Sequence, residues 1–212
     1  MMQLALTKWK ALDKWKDTIG YQSGLLAAIC GLAALLLMTM ELWTRPLINL
    51  RIEEDQNALL DEVLNGASYA NKVFSQSQKI TLQQRQYEIF TVKDGAGGTT
   101  HYVVRGSEEG FSGSISFLVG VDTDGVITGV RIINHTETPG LGDKIELAKS
   151  PWVKEFNQHS LANTPLWGVK KDGGSFDQFT GATITPRAVV NGVHIAMQAL
   201  AHNLEGTGHD AP

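Results

Sequence analysis

One stretch constrains this chain more than any other. Gly24 to Met40 (GLLAAICGLAALLLMTM) carries no charge, and Thr39 is its only polar side chain. With Tyr21 and Trp43 as edges the run reaches about twenty residues, and at about 1.5 Å per residue it spans a hydrocarbon core of about 30 Å. The two aromatics lie where interface aromatics usually lie. Lys8, Lys10, Lys14 and Lys16 precede the run against Asp13 and Asp17, and Glu41, Arg45 and Arg51 follow it. That lysine excess predicts a cytoplasmic N-terminus, with the rest of the chain sent across the membrane. In a bacterium the soluble part is then periplasmic and the anchor sits in the inner membrane. A cleaved signal peptide is the weaker reading, because the run is long and Thr39-Met40-Glu41 is not a small-x-small cleavage site.

Past the anchor, a chain of 212 residues has room for one soluble domain of ordinary size. Its 42% hydrophobic and 19% charged residues exclude a disordered tail or a collagen-like rod. Residues 44–212 carry a net charge of −5, a poor balance for binding nucleic acid. The single cysteine, Cys30, lies inside the apolar run. No disulfide forms within the chain, and iron–sulfur clusters, c-type haem and cysteine-based zinc sites lack their ligands. The six histidines show no HExxH or comparable spacing, so no metal site is expected. An electron-transfer role would need an organic cofactor.

The remainder reads as α+β: one transmembrane helix, then an antiparallel sheet with flanking helices. The expected organisation is a cytoplasmic segment 1–20, a span 21–43, a linker helix and domain start 44–90, a ligand-binding domain 91–204 and a flexible tail 205–212. Residues 49–78 read as an amphipathic helix, with Ile52, Leu59, Leu60, Val63 and Leu64 near helical spacing. Residues 87–92 and 101–105 read as strands around a loop holding Gly95, Gly97 and Gly98. Residues 114–119 and 126–133 form a hairpin with Asp124-Gly125 at its tip. The spacing predicts a helix from Gly142 to Phe156, with Ile145, Val153 and Phe156 buried and Pro151 as a possible interruption. A last helix, 186–203, is expected to be capped by Thr185 with Pro186 at its first position. Val189, Val193, Ala196, Met197 and Leu200 form its apolar stripe.

Two segments carry chemistry. Asp177-Gln178-Phe179-Thr180-Gly181-Ala182-Thr183-Ile184-Thr185 places hydroxyls and a glycine directly before a helix start. Free N–H groups and the helix dipole there favour a phosphate, and Gly181 and Ala182 let the backbone come close to an anion. Glu137-Thr138-Pro139-Gly140-Leu141-Gly142 turns sharply after the hairpin. It offers hydrogen bonds from Glu137 and Thr138 and an apolar face from Leu141 to a planar heterocycle. Taken alone, each segment is as well explained by a capped turn.

Together they resemble the FMN-binding domain family. Asp-x-x-Thr-Gly-Ala-Thr-x-Thr at 177–185 looks like that family's flavinylation motif, and Glu-Thr-Pro-Gly-Leu-Gly at 137–142 is similar to its second motif. Phe111-Ser112-Gly113 and the following hairpin fit as well. With one span ahead of the domain, the chain most resembles the G subunits of Rnf/Rsx electron transport complexes, and next the C subunits of sodium-translocating NADH:quinone reductases. The resemblance implies FMN joined through its phosphate to Thr183, with Asp177 and Thr180 in the sequence read by an external, magnesium-dependent flavin transferase. It implies that Thr180, Gly181, Ala182 and Thr185 surround the attachment point and that Glu137, Thr138 and Leu141 line the isoalloxazine. No catalytic acid or base is implied, because the flavin supplies the redox chemistry. The partners implied are the transferase and the other subunits of an ion-translocating complex. A non-redox, membrane-anchored assembly module is the competing reading.

Overall fold

The computed structural model describes residues 19–207, without the side chains of Asn49 and Glu53. The described residues through Asp55 form one unit, and the described residues from Gln56 onward form another. The expected cytoplasmic segment before Ile19 and the end of the tail lie outside the described residues. Helix α1 runs Ile19–Val63 and is long and apolar enough to cross a membrane once. Pro46 sits inside it. Such a proline removes one helical N–H, a loss that lipid-embedded helices tolerate where other groups satisfy the freed carbonyl. The expected continuation of the helix past the membrane is present, but it stops at Val63 rather than at 78. Asn65 and Gly66 both adopt left-handed backbone (φ 53° and 78°), and the Gly66 N–H bonds back to the Asp61 carbonyl at 2.9 Å. That is a helix C-terminus made by the two residue types best suited to it.

Five strands follow in a simple antiparallel meander: β1 (Gln78–Leu82), β2 (Arg85–Lys93), β3 (Thr99–Glu109), β4 (Ser114–Asp122) and β5 (Ile127–Asn134). Alternate residues enter opposite cores, as the two-residue strand period requires. Ile89, Val104, Phe117 and Val119 pack on one face with Val189, Val193 and Met197 of the last helix. Phe90, Val103 and Leu118 pack on the other with Leu60, Val63, Leu64 and Val73. The sheet is thus covered on both sides. On the second face, Gly120 and Gly129 stand opposite each other in the β4–β5 register. A Cβ on Gly129 would lie 2.9 Å from the Val63 carbonyl oxygen, so the two glycines flatten the sheet where the end of α1 rests. Thr128 fixes that contact by donating its hydroxyl to the same carbonyl at 2.6 Å.

The hairpin expected at 114–133 is β4–β5. Asp122 Oδ1 accepts the N–H groups of Asp124 (3.0 Å) and Val126 (2.8 Å), so this aspartate builds the turn. The helix expected over 142–156 is absent. In its place are two short 3-10 turns, Asp143–Ile145 and Pro151–Phe156, separated where Ser150 accepts the Trp152 N–H. Proline at 151 allows a helical turn to begin there but not to pass through it. The three apolar residues are buried as expected. The last helix, α2, is Ile184–Thr207. It begins two residues before the expected start and reaches three residues into the segment expected to be a loose tail. Its apolar stripe is buried throughout.

Candidate functional site

The start of α2 is built by a chain of short polar contacts. Trp152 is buried, with its ring edge-on to Phe179 at 5.2 Å and its Nε1–H donating to the Asp177 carbonyl at 2.9 Å. With Phe179 anchored, the chain reverses through Thr180-Gly181: the Ala182 N–H reaches the Phe179 carbonyl at 3.2 Å, and Gly181 has φ 83°. A turn with positive φ at its third position calls for glycine. Thr183 then occupies the N-cap position, where its carbonyl receives the Arg187 N–H at 3.2 Å. Thr185 is therefore not the cap. It is the second helical residue, buried, and its hydroxyl donates to Glu137 Oε2.

Glu137 holds the site together. It is 4% exposed. Oε1 accepts the N–H groups of Phe111 and Ser112, each at 2.9 Å, while Oε2 takes the Thr185 hydroxyl. Three chain segments distant in sequence are thereby pinned to one side chain. His135 extends the network. Nδ1 accepts the Glu137 N–H at 3.1 Å, so Nε2 carries the proton towards Glu146 at 2.6 Å. Gly142 leaves room for the clamp, since a Cβ there would lie 2.9 Å from both Glu137 Oε2 and Thr185 Oγ1. The turn at 138–142 is closed by the Thr138 carbonyl, which accepts from Leu141 and Gly142, and by Asp143, which accepts the Gly140 N–H at 2.8 Å.

These contacts bring both sequence motifs to a single cleft of about 110 Å³, where Glu137, Thr138, Leu141, Gly181, Ala182 and Thr183 all line the wall. Thr180 and Thr185 are not part of that wall: the first is exposed in the turn, and the second is buried behind it. Phe111 and Ile184 complete the rim. Phe111 is 67% exposed, Leu141 46% and Ile184 47%. Three large apolar side chains left to water around one threonine are the mark of a surface that expects a ligand. The Thr183 hydroxyl and the N–H groups of Ile184 and Thr185 have no hydrogen-bond partner among the described residues, and Pro186 has no N–H to satisfy. A phosphoryl group on the Thr183 oxygen would meet those donors and the positive end of the helix dipole. A hydroxyl free for esterification, unpaired donors for an anion and an apolar rim for a flat ring together fit an FMN.

Residues 110–198 match the model of the FMN-binding domain family. The chain is 40% identical over 190 residues to the G subunit of the ion-translocating oxidoreductase complex of Stutzerimonas stutzeri, an alignment covering 88% of this chain and 83% of that relative. The chain belongs to that family. The corresponding G subunit of Escherichia coli K12 is 44% identical over 143 residues, 65% of this chain and 69% of its own length. Among solved structures, the C subunit of the Na(+)-translocating NADH-quinone reductase from Parabacteroides distasonis superposes with a TM-score of 0.51 at 19% identity, covering 74% of this chain and 92% of that one. That likeness is one of fold.

Within this member of the G-subunit family, two residues near Thr183 escape a reading of the sequence, Ile184 and Arg187. Phe111 belongs to the Phe111-Ser112-Gly113 segment, but its exposure and that of Ile184 are legible only in the fold. Arg187 lies one turn after Thr183 and forms a two-pronged pair with Asp172 (2.7 and 3.0 Å), which holds the aspartate below the usual carboxylate range. Position 187 is four residues after 183, hence on the same helix face, and that spacing was the available signal.

Proposed function

We propose that this chain is the electron-transfer subunit of a membrane-bound redox complex that moves ions, and that it carries FMN esterified to Thr183. The relatives named above are subunits of ion-translocating oxidoreductase complexes, and this chain's FMN-binding domain supplies the matching site. The observation that carries the reading is the free hydroxyl at the N-cap of α2, set among the residues of both motifs. When bound, FMN supplies the one- and two-electron chemistry. The chain positions it. The Ile184 and Thr185 N–H groups hold the phosphate, and Leu141, Phe111 and Ile184 offer apolar contact to the ring. A cleft of about 110 Å³ cannot enclose a tricyclic ring, so the ring remains open to redox partners.

Attachment needs help from outside. The carboxylate that shares the cleft with Thr183, that of Glu137, is occupied by three donors and is not free to take the hydroxyl proton. A separate magnesium-dependent transferase using FAD balances the step. The Thr183 oxygen bonds to the flavin-side phosphorus, the pyrophosphate bond breaks, AMP leaves and the hydroxyl proton is released. The lysine-rich N-terminus supports a periplasmic position for the domain, where a covalent tether keeps the flavin from being lost. The other subunits of the complex are the expected partners within the inner membrane.

The reading is tested by co-expressing the full chain with such a transferase. The denatured chain should keep flavin fluorescence in a gel and gain the mass of one FMN phosphoryl group, and Thr183→Ala should lose both. A colourless, unmodified chain would overturn it.

A further inference from the structure

Beside the cleft at Thr183 lies a much larger groove, of about 680 Å³, between the loop around 165–174 and the first turns of α2. Pockets that hold small molecules span roughly 300–1,000 Å³. The groove falls in that range and the cleft at Thr183 does not. Ile184, the residue directly after Thr183, lines both. A group carried on the Thr183 oxygen therefore leaves the chain at the ridge between the two.

The groove has the chemistry of a seat for a flat heteroaromatic ring. Leu166, 60% exposed, and Ile184 give it apolar walls. The Trp167 indole stacks on the His194 imidazole at 5.1 Å and 2°, and it leans on Phe176 at 5.4 Å, so its plane is fixed. Burial pushes the His194 imidazole below its ordinary value, which keeps the stack uncharged at neutral pH. Arg187 also lines the groove, one turn along the helix from Thr183, and its guanidinium is paired there with Asp172 of the same wall. Glu108, 8% exposed at the groove wall, accepts from Arg85 at Oε1 (2.7 Å), and its buried Oε2 has no partner among the described residues.

We propose that the flavin tethered to Thr183 has two seats, the rim of the small cleft and this groove against Trp167, and that it exchanges between them across Ile184. The inference rests on FMN being carried by Thr183. Both seats lie at the surface, and they differ in whether the ring meets Trp167.

Indole in contact with an isoalloxazine quenches flavin fluorescence by electron transfer, so occupancy of the groove is measurable without any activity. The experiment uses the full-length flavinylated chain in detergent, with its FMN confirmed by intact mass. Flavin fluorescence lifetimes are then compared for wild type, Trp167→Phe and Leu166→Glu. The tryptophan substitution removes the quencher, and the exposed leucine substitution puts a charge on the groove wall without touching the core. With the two seats comparably populated, both variants should lose the short-lived component and raise the emission yield about twofold. Lifetimes unchanged in either variant, with the mass gain intact, overturn the second seat and leave the attachment at Thr183 standing. Absence of the mass gain in wild type overturns the attachment itself and the second seat with it.

Discussion

The five-stranded sheet and the loop-built end that carries Thr183 are held by different physics. In the sheet, every second residue of β2, β3 and β4 enters one of two apolar cores, and backbone ladders satisfy the polar groups. Between residues 137 and 183 there is no α-helix and no strand of the sheet. Order there comes from apolar anchors set into the first core, such as Ile145, Trp152, Phe156 and Phe176, and from side chains bonded to backbone: Glu137 to Phe111 and Ser112, Asp143 to Gly140, Trp152 to Asp177. Apolar burial is tolerant of detail and supplies most of the stability. Polar clamps are intolerant of detail and supply position. The site sits where position matters, and its rim is left apolar and wet because a ligand is expected to cover it.

Substitutions can break that contrast. Phe117 is fully buried between β4 and α2, and Phe117→Ala should cost about 3–5 kcal/mol, read as a fall in the urea midpoint with the anchor in detergent. Glu137→Ala strands two N–H groups and a buried hydroxyl and should cost about 3 kcal/mol. Unlike the phenylalanine change, it should also slow flavin attachment out of proportion to the lost stability, because it frees the start of α2. Equal effects of the two changes on attachment would remove the distinction between core and clamp.

Two smaller effects sharpen the comparison. His194 has a folded-state value below that of the unfolded chain, so the unfolded state binds the proton first. Its contribution is full above the ordinary histidine value of 6.5 and declines as the pH falls from there towards the depressed value. Urea midpoints measured at pH 7.5 and pH 5 should show this loss, and His194→Phe should flatten it. The smallest effect belongs to Asp172→Asn, which releases an exposed Arg187. Global stability should be unchanged, while flavin emission becomes more sensitive to salt.

The same contrast explains how much was legible in the residues. The β4–β5 hairpin was readable because Asp124-Gly125 is strong turn chemistry between alternating strands. Strand β1 went unread because its connection to β2 is Gln83-Gln84. Both glutamines adopt positive φ (50° and 64°), a hairpin turn made without the asparagine or glycine that signals one. The helix expected over 142–156 failed because its buried residues serve 3-10 turns, whose short period mimics a helical stripe over a few positions. Thr185 reads as a cap because Pro186 follows it. The structure instead gives the N-cap position to Thr183, since Thr185 is drawn inwards by a carboxylate 48 residues away in the chain. Long-range polar contacts of that kind have no local signature. The residues that carry the motifs were legible, and the way they are held was not.

The most direct measurement is peptide-level mass spectrometry of the chain purified from its native membrane, reading the segment that contains Thr180, Thr183 and Thr185. The expected result is one FMN phosphoryl group on Thr183 and none on its neighbours. An unmodified segment, or a flavin on Thr180 or Thr185, would contradict the account, because the hydroxyl left free at the start of α2 would then not be the point of attachment.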